Sequence, residues 1–169
     1  QIFHFVNSPI LQRYYSLKAY LCYIYEEMEE GKRFAEKGTE LRAEKVGLGM
    51  QVYAEDIFIY SLILLSQPLD SKNIEIIETN QKQMRVWSDH NPYNYLHKYL
   101  LVEAEWAKIQ GRFLDAYDLF EQAILSAQKT LNLKDLALIY ESTAKFHLSR
   151  GSFLIGRTYL KEAHYAYSR

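Results

Sequence analysis

The chain has 169 residues, 49% of them hydrophobic, which is the size of one ordinary domain with enough apolar side chains to bury a core. Twenty Lys and Arg stand against twenty-one Asp and Glu, a formal net charge of −1 that supplies no basic field for nucleic acid or for a membrane surface. The one cysteine, Cys22, excludes an internal disulfide and fits a reducing, cytoplasmic compartment, where it reads as a small core hydrophobe.

Three prolines and seven glycines punctuate the chain, and between them apolar residues recur every three to four positions, so the sequence reads as helix throughout. Asn7-Ser8-Pro9 is a start signal: Ser8 offers a cap for exposed amides, and Pro9 has no N–H to lose in a first turn. The first helix is expected over roughly 9–28. It carries Tyr14, Tyr15, Tyr20, Tyr23 and Tyr25, which do not fit one stripe, so some must face outward. The next helix, roughly 30–45, follows the acidic run Glu26, Glu27, Glu29 and Glu30 and continues through Lys32, Arg33, Glu36 and Lys37, a solvated corner with i, i+4 pairs. The third, roughly 48–66, holds the most apolar run, IFIYSLILL from Ile57 to Leu65. That run is far short of the about 20 residues a membrane span needs, so it predicts a buried helix.

Further helices are expected at roughly 71–88, 93–110, 113–129, 133–150 and 153–168. Breaks fall at Gly47/Gly49, Gln67-Pro68, His90-Asn91-Pro92, Gly111, Asn132 and Gly151. Short connections make successive helices antiparallel neighbours, giving about four hairpin units over 8–46, 47–89, 91–130 and 131–169 of a single domain, 1–169. Because the first residue is Gln, the chain reads as a piece of something longer.

The stretch GRFLDAYDLFEQAI begins at Gly111, and forty residues later GSFLIGRTYLKEAH begins at Gly151. Aligned, they place Gly on Gly, Phe153 on Phe113, Gly156 on Ala116, Leu160 on Phe120 and Ala163 on Ala123. Phe113, Ala116, Tyr117, Phe120, Ala123, Ile124 and Ala127 form one helical face, with the alanines admitting a close neighbour and the rings filling grooves beside them. A weaker copy, EEMEEGKRFAEKG, has Glu26 at the leading Gly position, Met28 at the aromatic, Gly31 and Gly38 at the small positions and Ala35 at the second aromatic. SKNIEIIETNQKQMRVW carries no such signature, and a unit there follows from spacing alone.

This order of glycine, aromatic, small, aromatic and small resembles the second half of a tetratricopeptide repeat. The resemblance implies an all-α, tetratricopeptide-like α-solenoid of about eight helices in antiparallel hairpins. The spacing of forty residues exceeds the usual 34 or so, the closing proline is absent, and Leu100 or Tyr140 stands at the large first-helix position. A second resemblance runs from NPYNYLHKYLLVEAEWAKIQ through AKFHLSRG to YLKEAHYAYSR. It is to the helical region of large bacterial multi-domain signalling proteins that combine serine/threonine kinase, predicted-ATPase and sensor histidine-kinase modules. It implies a regulatory segment and carries over no catalytic residue.

Nothing in the sequence supplies chemistry. Gly47-Leu48-Gly49 lacks the spacing and the lysine of a phosphate loop. His4, His90, His97, His147 and His164 are scattered without metal-ligand spacing, and Cys22 has no fixed base. No catalytic, cofactor-binding or metal-binding residue is therefore expected, and no cofactor. In tetratricopeptide arrays the first helices of successive units line a concave groove that holds peptides. Transferred here, that rule selects Lys98, Leu101, Glu105 and Lys108, with Glu141, Lys145 and Leu148 one unit on. The expectation is a protein or peptide partner, neighbouring domains of the same chain included, with no nucleic acid and no membrane. The alternatives are a small-molecule sensor built round an enclosed apolar pocket, and a homo-oligomerisation module using exposed Tyr and Phe.

Overall fold

The structure, a computed structural model, describes residues 2–43 and 50–169, with side chains over 10–41 and 52–169. Among these residues there are eight α-helices and no strand: α1 (Ile2–Ile24), α2 (Met28–Ala43), α3 (Met50–Leu65), α4 (Ser71–His90), α5 (Pro92–Ile109), α6 (Phe113–Gln128), α7 (Leu133–Ser149) and α8 (Phe153–Tyr167). They fall into two compact units, Gln1–Lys82 and Gln83–Arg169.

Helix ends sit where the chain chemistry puts them. Asn91 caps α5 by accepting from the Asn94 amide at 3.3 Å, with Pro92 in the first turn, and Asn132 caps α7 by accepting from the Asp135 amide at 3.2 Å. The start of the chain differs from expectation. α1 begins at Ile2, so Asn7-Ser8-Pro9 lies inside a helix; a proline there forfeits one backbone bond and the long run continues past it. The side chains of Ser8 and His4, and the break at Gly47/Gly49, lie outside what the structure describes.

α1 also stops earlier than the expected 28, because Glu26 takes the left-handed conformation, φ 60°. Gly111 and Gly151 hold the same conformation, φ 74° and 77°, at the ends of α5 and α7. The hydrogen bonds agree as well. The amides of Glu26, Gly111 and Gly151 reach the carbonyls of Tyr23, Lys108 and Leu148 at 3.2, 3.1 and 3.0 Å. The next amides, of Glu27, Arg112 and Ser152, reach Cys22, Ala107 and His147 at 2.8, 2.9 and 2.9 Å. Three hairpins therefore close with one geometry, and one of them does so without glycine. A non-glycine residue held there costs about 1–2 kcal/mol, partly offset by the greater freedom glycine has in the unfolded chain. Glu26→Gly is therefore expected to raise the stability of the first unit by about 0.5–1 kcal/mol in urea denaturation.

In the first unit the α1–α2 hairpin packs on α3. Gly31 of α2 meets α1 and α3 so closely that an added Cβ would lie 3.1 Å from Cys22 Cβ and 3.2 Å from Ile63 Cδ1. Cys22 is buried in that contact. The run Ile57–Leu65 is buried at every position, as a helix apolar on all sides requires. Gln12 and Ser16 of α1 both donate to the Asp56 carboxylate of α3, Gln12 at 2.9 Å. Of the five tyrosines expected on the first helix, Tyr14 and Tyr25, the latter just past the end of α1, are exposed, while Tyr15, Tyr20 and Tyr23 are half-buried.

The second unit holds the α5–α6 and α7–α8 hairpins. Ala116, Phe120, Ala123, Ile124 and Ala127 of α6 are buried, whereas Phe113 and Tyr117 are half-buried. The Phe146 ring of α7 lies 4.7 Å from Tyr117 and 5.1 Å from Phe120, centre to centre. On α8, Gly156 and Ala163 are buried as the repeat predicts, but Phe153 (66% exposed) and Leu160 (40%) are not. Their counterparts on α6 face α7, and among the described residues no helix stands in that position against α8.

Candidate interaction surface

The seven groove candidates divide by depth. Lys98 and Leu101 are buried, 3% and 0% exposed, and Glu105 nearly so. These three do not line an open groove. A lysine enters an interior when a carboxylate is there to meet it, and Lys98 finds Asp135 of α7, 37 residues away and fully buried.

Asp135 is the centre of a small polar cluster. Its Oδ2 receives the Lys98 ammonium, the His97 ring Nε2 at 3.0 Å and the Asn132 amide Nδ2 at 2.7 Å. The sequence places this carboxylate by local means, because Asn132 caps α7 and the third helical residue then points its acid at the helix N-terminus. Burial alone would raise the Asp135 pKa. The hydrogen bond from His97 and the Lys98 charge outweigh burial and hold the carboxyl well below the usual range.

Leu148 belongs to packing as well. A Cβ built on Gly156 would come within 2.7 Å of its side chain, so Leu148 fills the space that the missing Cβ leaves between α7 and α8. Lys108, Glu141 and Lys145 remain accessible to different degrees. Lys108 pairs with Glu105 one turn back, and Lys145 pairs with Glu141 at 2.9 Å. Tyr167 of α8 donates to the Glu141 carboxylate at 2.9 Å. What reaches the surface is Lys108 on α5 and the Glu141–Lys145 pair on α7.

An aromatic layer joins α6, α7 and α8. His147 stacks on Tyr159 with centres 5.5 Å apart and meets Tyr117 edge-on at 5.1 Å. Tyr159 donates to Glu121 at 2.6 Å, and burial together with that bond pushes its pKa up. Burial pushes the His147 pKa down against the opposing pull of Glu121.

The two shifts fix a pH response. A histidine with a depressed folded-state pKa gives way as pH falls through its unfolded value, about 6.5, because the unfolded chain takes up the proton first. An aspartate with a depressed pKa contributes stability that is complete above its unfolded value, about 3.9, and lost as pH falls below it. Urea denaturation followed from pH 8 to 3 is therefore expected to show two successive losses of stability, with His147→Phe removing the upper one and sparing the lower.

An open groove of about 480 Å³ lies between α5 and α6, bordered by Tyr93, Leu96 and Leu100 on one side and Leu125, Ser126 and Lys129 on the other. It is not the enclosed chamber that a small-molecule sensor calls for. Among the described residues no three His, Cys, Asp or Glu side chains gather as metal ligands, and no helix is long and apolar enough to cross a membrane.

His97 and Asp135 were not among the candidates, and only the Asn132-x-x-Asp135 capping pattern in the sequence pointed to either. Residues 52–150, more than half of the chain, match the family model described as "CHK1-like, TPR repeats". That span includes Ser71–Trp87, the part without a readable repeat signature. No curated protein and no solved structure matches the chain.

Proposed function

Because the chain belongs to the family of CHK1-like, TPR repeats, we propose that it is a non-catalytic protein-interaction segment that relays a signal within a large cytoplasmic, multi-domain bacterial signalling protein. Tetratricopeptide units bind proteins or peptides on faces that a stack of helices holds rigid. In this reading the whole chain acts as one domain of four hairpins. The partner is a polypeptide, supplied by another protein or by kinase, ATPase or sensor modules of the same chain.

One observation carries the reading. The accessible charges Lys108, Glu141 and Lys145 stand on α5 and α7, the first helices of their hairpins, and the same two helices are tied by the buried contact of Lys98 with Asp135. A rigid base with a mixed-charge surface suits an extended or helical peptide better than a reaction. Binding to such a face biases the angle between neighbouring hairpins, which is the step a relay needs.

A photo-crosslinker placed at position 145 tests it in the full-length protein. Adducts to a polypeptide are expected from position 145 and not from position 114 on α6. No adduct at 145, or equal labelling at both, would overturn the reading.

A further inference from the structure

The α5–α6 and α7–α8 hairpins differ in bulk at one interior pair of positions. The forty-residue step carries Leu100 of α5 onto Tyr140 of α7, and Leu119 of α6 onto Tyr159 of α8. The Tyr140 ring stacks on Tyr159 with centres 6.0 Å apart, and its hydroxyl accepts from Gln128 of α6 at 2.9 Å. Where one hairpin sets two stacked rings, the other sets two leucines. Leucine reaches less far than tyrosine, and the open groove of about 480 Å³ borders Leu100. The walls of that groove come from α5 and α6 alone, two helices in the interior of the sequence with α4 before them and α7 after.

The border of the groove is apolar and basic. Pro92, Leu96 and Leu125 supply hydrocarbon, and Tyr93 and Leu125 are exposed at 52% and 56%. Leu131, in the loop that follows α6, is 93% exposed. Lys129 is the one charged residue on the border, and from Leu125 to Lys134 the only charges are Lys129 and Lys134, both exposed. No Asp or Glu occurs between Pro92 and Val102. The start of α5, at Pro92 on the same border, adds the partial positive charge of a helix N-terminus. A recess with a hydrocarbon floor and a cation on its rim matches a ring and an acid, whereas a flat bilayer would meet the rim alone.

We propose that the α5–α6 groove docks an acidic peptide segment that carries an aromatic side chain. The ring occupies the room that Tyr140 fills in the next hairpin, and the carboxylate beside it meets Lys129. The ring is buried against Leu96, Leu100 and Leu125, and the acid brings negative charge to a border that has none. This surface is additional to the accessible charges of α5 and α7, and neither reading depends on the other.

Selection of a random dodecapeptide library on the immobilised chain, followed by fluorescence anisotropy of the recovered peptides, tests the proposal. The recovered peptides are expected to share an aromatic residue with Asp or Glu within one helical turn of it. Leu100→Tyr fills the groove from inside with the side chain that the next hairpin uses, and Lys129→Glu reverses the charge on the rim. Each is expected to weaken binding about tenfold or more, while Leu114→Glu, at the other end of α6, leaves it unchanged. Circular dichroism and melting establish that each variant folds, and the exposed Lys129→Glu decides the matter if Leu100→Tyr does not. No recovered peptide, peptides without that pairing, binding indifferent to either folded variant, or equal loss with Leu114→Glu would overturn the proposal. Tighter binding to phosphatidylserine vesicles than to any recovered peptide would overturn it too, by assigning the groove to a membrane. The crosslink from position 145 probes the other surface, so failure of one reading is separable from failure of the other.

Discussion

Asp135→Ala is expected to lower the stability of the second unit by about 3–5 kcal/mol, the range for removing one partner of a buried ion pair. The cost arises mainly from what stays behind. Lys98, also buried, loses the carboxylate that its ammonium faces, and His97 and the Asn132 amide lose the same acceptor. Replacing both charges, Lys98→Met with Asp135→Leu, is expected to recover most of the loss, because two well-packed apolar residues desolvate without penalty. Urea denaturation of the single and double variants measures the coupling. A loss for Asp135→Ala below about 1 kcal/mol would put the pair in the class of surface ion pairs and refute its role in holding α5 to α7.

Phe146→Ala is the second large effect, also about 3–5 kcal/mol, since a fully buried ring is removed and Tyr117 and Phe120 keep the cavity from closing. The matched control is Leu21→Ala on α1. The offset that brings Glu26 onto Gly151 brings Leu21 onto Phe146, but Leu21 is exposed, so the expected change is within about 0.5 kcal/mol. Comparable losses at the two positions would mean that the α1 face is covered in the monomer.

The helices were legible because their boundaries are written in local chemistry. Asn91-Pro92, Asn132, Gly111 and Gly151 each fix a turn through their own backbone or cap, and no distant residue is needed. The small positions Gly156 and Ala163 were legible for a related reason, as close approach leaves a size restriction in the sequence. Lys98 and Glu105 misled because charge normally signals solvent, and what buries Lys98 is an aspartate in the next hairpin. Phe153 and Leu160 misled in the opposite sense. A motif records what a residue can pack against, and whether the packing partner is present is a separate matter. Glu26 shows the limit of reading repeats by composition, since its backbone makes the same turn without a glycine.

The Lys98–Asp135 contact also bears on how α5 and α7 move against each other. Sliding α7 along α5 by one residue, about 1.5 Å of helix rise, would draw the carboxylate away from the ammonium and from the His97 ring together. Tilting the helices about that point leaves all three groups in reach. The cluster therefore ties the two helices at one point, and resists their translation more than a change in the angle between them.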